Sequence, residues 1–216
     1  MIDSSSRVLN PIERWSEVLF GLIMTLSFTG TLSVVSGGRE EVITMLVSVL
    51  GCNLAWGIID AVLYVLGSLS ERGRNLVLYK AIRKAATTEA ARAVIAGALP
   101  PVVASVLQPA ELESLRERLS TLPEPPGQTS ITKEEIKGAF GVFLLVFLSC
   151  VPVIIPFLLI QDPWPALRVS NGVAIVMLFL GGTMLARYAG FRRFRTGLVM
   201  VLLGLAMVAI TIALGG

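Results

Sequence analysis

Long runs without a single ionisable side chain constrain this chain more than any other feature. No Asp, Glu, Lys or Arg occurs from Val18 to Gly38, Gly138 to Gln161, Val169 to Ala186 or Thr196 to Gly216. From Val42 to Ser70 the only charge is Asp60. Each run is long enough for a helix to cross about 30 Å of hydrocarbon, which takes roughly 17–25 residues. Lipid offers the backbone no hydrogen-bond partners, so these runs must satisfy themselves as helices. Only 15% of the 216 residues are charged, against about 25% in an ordinary soluble domain. The sequence therefore predicts an all-α integral membrane protein with five transmembrane helices, at about 17–36, 42–69, 137–160, 169–187 and 197–214. A small helical cytoplasmic insert lies between helices 2 and 3. The expected divisions are 1–70, with an N-terminal lead and spans one and two, 71–136 for the insert, and 137–216 for spans three to five.

Orientation follows from Lys and Arg. Of the 18 basic residues, all but Arg39 and Arg168 fall on one side of this topology. The positive-inside rule then sets the N-terminus and the insert in the cytoplasm and the C-terminus outside. A bacterial-type plasma (inner) membrane is the expected host. The basic isoelectric point, near 9.1, is thus a topology signal and does not indicate a nucleic-acid partner. The first span does not read as a removable signal peptide, because Asp3, Glu13 and Glu17 precede it and no small-residue cleavage site closes a short apolar core.

Several chemistries drop out. The chain has no His, which removes His-based catalysis and His metal ligands. Cys52 and Cys150 fall inside expected spans and do not form a disulfide framework. No P-loop, G-x-S-x-G or CxxC motif is present. An enzyme is not expected, nor a resident cofactor.

Within the insert, Leu78, Ile82, Ala85 and Ala86 recur at helical spacing over 75–99, and Pro100-Pro101 ends that stretch. A second helix starts near Pro109, a residue suited to a first helical turn. Residues 121–130 read as a Pro/Gly linker. Thr132 and Glu135 have capping-box spacing just ahead of the third span, where Pro152 and Pro156 predict a kink.

Asp60 is the sharpest functional signal. A carboxylate at membrane depth costs roughly 2.5–3.5 kcal/mol on insertion scales and usually faces a polar interior. Asn53, Gly57 and Tyr64 share its helix face. Asp60 serves a cation or proton site, or an interhelical hydrogen bond, or stands at the membrane boundary if span two starts early. Thr25, Thr29, Ser33 and Ser36 form a hydroxyl stripe along the first span, suited to a watered path or to helix packing. Met24 sits in the same region, and its thioether is a soft ligand as well as a packing group. In the insert Glu111, Glu113 and Glu117 cluster on one helix; a hard cation, or Arg116 and Arg118, would balance them.

The segments GAFGVFLLVFLSCVPVIIPFLL and LFLGGTMLARYAGFRRFRTGLVMVLLGLAMVAITIALGG resemble the last three spans of the vacuolar iron transporter family. VLFGLIMTLSFTGTLSVVSG is similar in outline to that family's first span, and LSERGR to its exit from the second. The resemblance implies a homodimer that exports ferrous iron or manganese from the cytosol against protons. Its cation pathway would run at the subunit interface, and the insert would bind metal through its glutamates. In a gap-free register Met24 stands where the family carries an Asp, and Asp60 close to where it carries a Met. The expected metal-handling set is therefore Asp60, Met24, Asn53, Thr25, Glu111, Glu113 and Glu117, with the ion as substrate. The alternative is a non-transporting membrane scaffold of the same fold whose insert binds a partner.

Overall fold

The computed structural model describes residues 9–31, 38–123 and 129–213. Among these residues the regular structure is entirely helical. The chain divides into two units, one made of residues up to Val65 together with Lys133 onward, the other of Leu66–Thr132. Ser33, Ser36 and the terminal Gly215-Gly216 pair, all drawn on in the sequence reading, lie outside the described residues, as do 124–128 of the linker.

The first unit opens with α1, Pro11–Thr31. Asn10 sets its start reciprocally: Ile12 N–H donates to Asn10 Oδ1 at 3.1 Å, and Asn10 N–H donates to Glu13 Oε2 at 3.0 Å. This is a capping-box arrangement with Pro at the first helical position, where no backbone donor is lost. Helix α2, Arg39–Lys84, is continuous over 46 residues and passes from the first unit into the second.

The expected kink in the third span appears as a break. Helix α6, Lys133–Ser149, stops and α7, Val151–Leu159, restarts after Cys150. Pro152 brings no N–H, so the turn before it loses a donor. Side chains supply donors in that turn: Ser149 Oγ donates to the Val146 carbonyl at 2.7 Å and Cys150 Sγ to the Phe147 carbonyl at 2.9 Å. At the far end of α7, Arg39 Nη1 of α2 donates to the Phe157 carbonyl at 3.2 Å, which covers one of the orphan acceptors a helix C-terminus leaves.

Helix α8, Pro163–Ala189, ends at Gly190, whose φ of 74° lies in the left-handed region that glycine adopts without a Cβ penalty. Phe191 N–H then reaches back to the Ala186 carbonyl at 3.0 Å. The basic turn follows, and α9 runs Arg193–Ala213.

Two apolar clusters hold these helices together. Val42, Met45 and Val49 of α2 meet Cys150, Ile154 and Phe157, together with Ala166 and Leu167 of α8. Leu19, Leu22 and Leu26, three and four apart on α1, meet Val153, Ala174 and Leu178. Helix α1 packs on α6, α8 and α9, and α8 packs on α9. Outward-facing residues of α2, among them Ile43, Val47, Leu54 and Ile58, are apolar, as a surface facing lipid tails must be.

By length and composition four helical segments are able to cross a membrane: Arg39–Lys84, Lys133–Leu159, Pro163–Ala189 and Arg193–Ile210. The described part of α1 falls short of that standard. It opens with Glu13, Arg14 and Glu17, and the charge-free run that begins at Val18 continues beyond the described residues.

In the second unit the helix expected over 75–99 is interrupted. Helix α2 ends at Lys84, and α3, Thr88–Ala98, starts afresh with Thr87 Oγ1 accepting from Ala90 N–H at 3.2 Å. A short α4, Pro101–Val106, follows the double proline, and α5 runs Pro109–Ser120. Helix α3 packs on α5. The Tyr79 hydroxyl, on the last turns of α2, donates to the Leu119 carbonyl in the last turn of α5 at 3.1 Å.

Candidate functional site

A polar seam runs between α1 and α2 in the first unit, and the antiparallel course of the two helices decides which residues meet. Asn53, with no exposed surface, donates through Nδ2 to Thr25 Oγ1 at 3.2 Å and to the Val49 carbonyl at 3.0 Å. Thr25 Oγ1 donates in turn to the Gly21 carbonyl at 2.8 Å. Asn53 Oδ1 is buried with no partner among the described residues. It faces the bare backbone of Gly21, where an added Cβ would collide with Ser149 Oγ and stand 3.3 Å from Asn53 Oδ1. Three elements, α1, α2 and α6, thus close around one buried carbonyl oxygen in surroundings that leave it unsatisfied, a cost of about 1–3 kcal/mol.

One residue earlier on each helix, Cys52 Sγ lies 3.5 Å from Met24 Sδ. A thiol and a thioether therefore face each other across the seam, a soft pair of the kind that suits transition metals. One turn along α2, Trp56 packs edge-to-face on Phe20 of α1, with ring centroids 5.5 Å apart. A turn further lies Asp60. Its Oδ2 is buried without a partner among the described residues, and its charge interacts with that of Glu17 on α1.

The structure sorts the sequence candidates accordingly. It brings Asn53 and Thr25 together and extends their polar contact to α6. It does not pair Met24 with Asp60: eight residues separate Asp60 from Cys52, about 12 Å along a helix. Met24 faces Cys52, and Asp60 has Glu17 as its neighbour. Cys52 and Glu17 are the two seam residues that sequence reasoning missed. Antiparallel pairing of Thr25 with Asn53 predicts both, since stepping back along α1 while stepping forward along α2 reaches Glu17 beside Asp60. Thr29 is fully buried and turns its hydroxyl onto the Leu26 carbonyl at 3.2 Å, within its own helix.

The acids of the second unit have separate tasks. Glu111 completes a capping box at the start of α5, its Oε2 accepting from Gln108 N–H at 2.7 Å. Glu113 binds Arg116 through Nη2 at 2.6 Å and Nε at 2.8 Å, and Arg92 of α3 stands 3.8 Å away. The Arg116 hydrogen bond holds the Glu113 carboxyl below the ordinary carboxylate range, with the Arg116 and Arg92 charges acting in the same direction. Glu117 is exposed. Among the described residues no group of three or more Cys, Asp and Glu side chains converges as a metal cage would require.

Long apolar helices around a polar, carboxylate-bearing seam define an integral membrane protein. The model of the VIT family matches residues 112–216, so this part of the chain is similar to the vacuolar iron transporter family. No curated protein matches the chain. The matched segment takes in α6 to α9 and most of α5. The seam between α1 and α2 lies outside it.

Proposed function

We propose that the chain exports divalent transition-metal cations, Fe²⁺ or Mn²⁺, from the cytosol in exchange for protons, and that the cations pass along the α1–α2 seam. The observation that carries this reading is Asp60: a carboxylate with a buried, unpartnered oxygen, in the middle of a long apolar helix and beside a second carboxylate, Glu17. Two acids placed together at membrane depth oppose folding unless a cation or a proton neutralises them. Further along the seam, Met24 with Cys52 and then Asn53 with Thr25 supply soft and neutral donors in sequence. Asp60, Met24, Asn53 and Thr25 are the proposed ion-handling residues, joined by Glu17 and Cys52. The protein works as a homodimer with five spans, the first of them the apolar run that begins at Val18, with its N-terminus and the insert cytoplasmic and its C-terminus outside an inner membrane. The family match, the one-sided distribution of Lys and Arg and the apolar outer face of α2 support this arrangement.

The insert is a different matter. Glu111 and Glu113 are engaged in a cap and in ion pairs, which favours a partner-binding or structural insert over a metal store. The deciding experiment is uptake of Fe²⁺ and Mn²⁺ into proteoliposomes under an imposed proton gradient. Wild type accumulates the ion, Asp60→Asn abolishes accumulation, and Glu17→Gln weakens its response to the gradient. Absence of uptake by folded wild-type protein overturns the transporter reading in favour of a scaffold of the same fold.

A further inference from the structure

A cavity of the first unit lies between α1, α6 and α8. It has a volume of 510 Å³ and is lined by Leu9, Arg14, Val18, Lys137, Gly141, Leu144, Leu145, Leu148, Ser149 and Met177. The lining is sharply divided. Arg14, near the start of α1, and Lys137, in the second turn of α6, stand at one end; the walls leading away from them are apolar. Both cations are exposed, and neither makes an ion pair with the described residues. No acid lines the cavity: Glu13 accepts from Asn10 N–H at 3.0 Å, and Glu17, Glu134 and the buried Glu135 are absent from its walls.

The dimensions match one molecule. From Lys137 to Leu148 the groove follows eleven residues of α6, about 16 Å along the helix axis. Half of a bilayer's hydrocarbon is about 15 Å deep. A groove that starts at two free cations at a membrane boundary and runs apolar for half the membrane fits one acyl chain with an anionic headgroup above it. A second protein helix would leave both cations without counter-charge, and a zwitterionic lipid would bring a like charge to them.

We propose that this groove is a binding site for an anionic phospholipid, with the headgroup phosphate held by Arg14 and Lys137 and one acyl chain lying along Leu144, Leu145 and Leu148. Each cation is worth about fivefold in selecting an anionic over a zwitterionic headgroup. The site stands independently of which ion is transported: it shares only Ser149 with the seam, and neither its two cations nor its leucines handle the ion.

The test is native mass spectrometry of the full chain released from micelles doped with equal amounts of phosphatidylglycerol and phosphatidylcholine carrying the same acyl chains. Wild type retains phosphatidylglycerol preferentially, and R14Q/K137Q loses on the order of twentyfold of that preference. The exchanged pair R14K/K137R keeps it, which separates loss of charge from failure to fold. Leu148→Trp, which fills the groove and leaves both cations, lowers retention of either lipid at least severalfold. Three results overturn the proposal: no headgroup preference in wild type, an equal loss in the basic-turn variant R192Q/R193Q, or undiminished retention in Leu148→Trp. The second would assign the preference to the general basic character of that membrane face.

Discussion

Asn53 on α2 donates its side-chain amide to Thr25 on α1 at 3.2 Å, while its carbonyl oxygen stays buried without a donor. Stability and function pull apart at this one side chain. Its amide nitrogen ties two helices; its oxygen opposes folding and is held ready for an ion or a water.

Asn53→Ala is therefore expected to lower the unfolding free energy by about 1–2 kcal/mol, the range of an interhelical hydrogen bond plus a small cavity. Asn53→Leu keeps the volume and removes the orphan oxygen, so its stability stays within about 1 kcal/mol of wild type. Transport in Asn53→Leu is nevertheless lost. Equilibrium unfolding in mixed micelles, read beside proteoliposome flux, checks both statements; a Leu variant with full flux removes Asn53 from the ion path.

Met24→Leu is a volume-conserving change and should cost under about 1.5 kcal/mol. If the Met24–Cys52 pair takes part in handling the ion, flux falls by roughly tenfold or more, the loss typical even of a group that only supports a metal ligand. Flux at several metal concentrations separates weaker binding from slower turnover. Unchanged flux for both Fe²⁺ and Mn²⁺ would return Met24 to a packing role.

Gly182→Ala and Gly172→Ala form a matched pair on α8. A Cβ at Gly182 would stand 2.8 Å from Met200 Cγ and 3.0 Å from both Gly197 Cα and the Thr196 carbonyl, two of which are backbone atoms that cannot swing aside. The expected cost is about 1–3 kcal/mol of overpacking. A Cβ at Gly172 meets nothing within 4 Å, so there Ala gains up to about 1 kcal/mol of helix propensity. Melting temperatures of the two variants should move in opposite directions.

Glu113 gives the insert a defined acid sensitivity. Because Arg116 lowers its folded-state pKa, the ion pair contributes in full above the ordinary carboxylate value of about 4.3 and is lost as pH falls through the lowered value. The stability difference between wild type and Glu113→Gln should thus be level from neutral pH down to about 5 and vanish at lower pH. Thermal unfolding from pH 7 to 3 measures it. A difference that grew on acidification would show the sign to be wrong.

Absence of charge is a one-dimensional property and is readable from the chain, and so were the long apolar helices and the proline-dependent break near Cys150. The continuation of α2 beyond Ser70 was legible too, since nothing before Lys84 interrupts it. Its stop there was not: Ala85 and Ala86 are good helix formers, and only the Thr87 side chain accepting from Ala90 fixes the new start. The seam was half legible. Asn53, Thr25 and Asp60 stand out as polar residues in apolar surroundings, whereas their partners depend on the register between two helices, which no single-helix periodicity contains. In sequence Cys52 reads only as a thiol inside a span, outside any disulfide framework, and Glu17 as an acid on the approach to the first span. For the insert's glutamates, a count of acids in sequence does not reveal that Arg92, Arg116 and a helix terminus engage two of them.

The packing of α1 against α6, α8 and α9 has a consequence for how the chain is made. Its first hydrophobic helix leaves the ribosome long before the last two exist. At about 5–20 residues per second, α1 waits on the order of ten seconds for the surfaces it will occupy. During that interval the backbone of Gly21, the hydroxyl of Thr25 and the carboxylate of Glu17 have no bundle to face, and α2 arrives with Asn53 and Asp60 in the same condition. Assembly is therefore gated by the C-terminal end of the chain. A truncation or delay there leaves an acidic, hydroxyl-rich helical hairpin in lipid, the form of this protein that a membrane quality-control protease is built to notice.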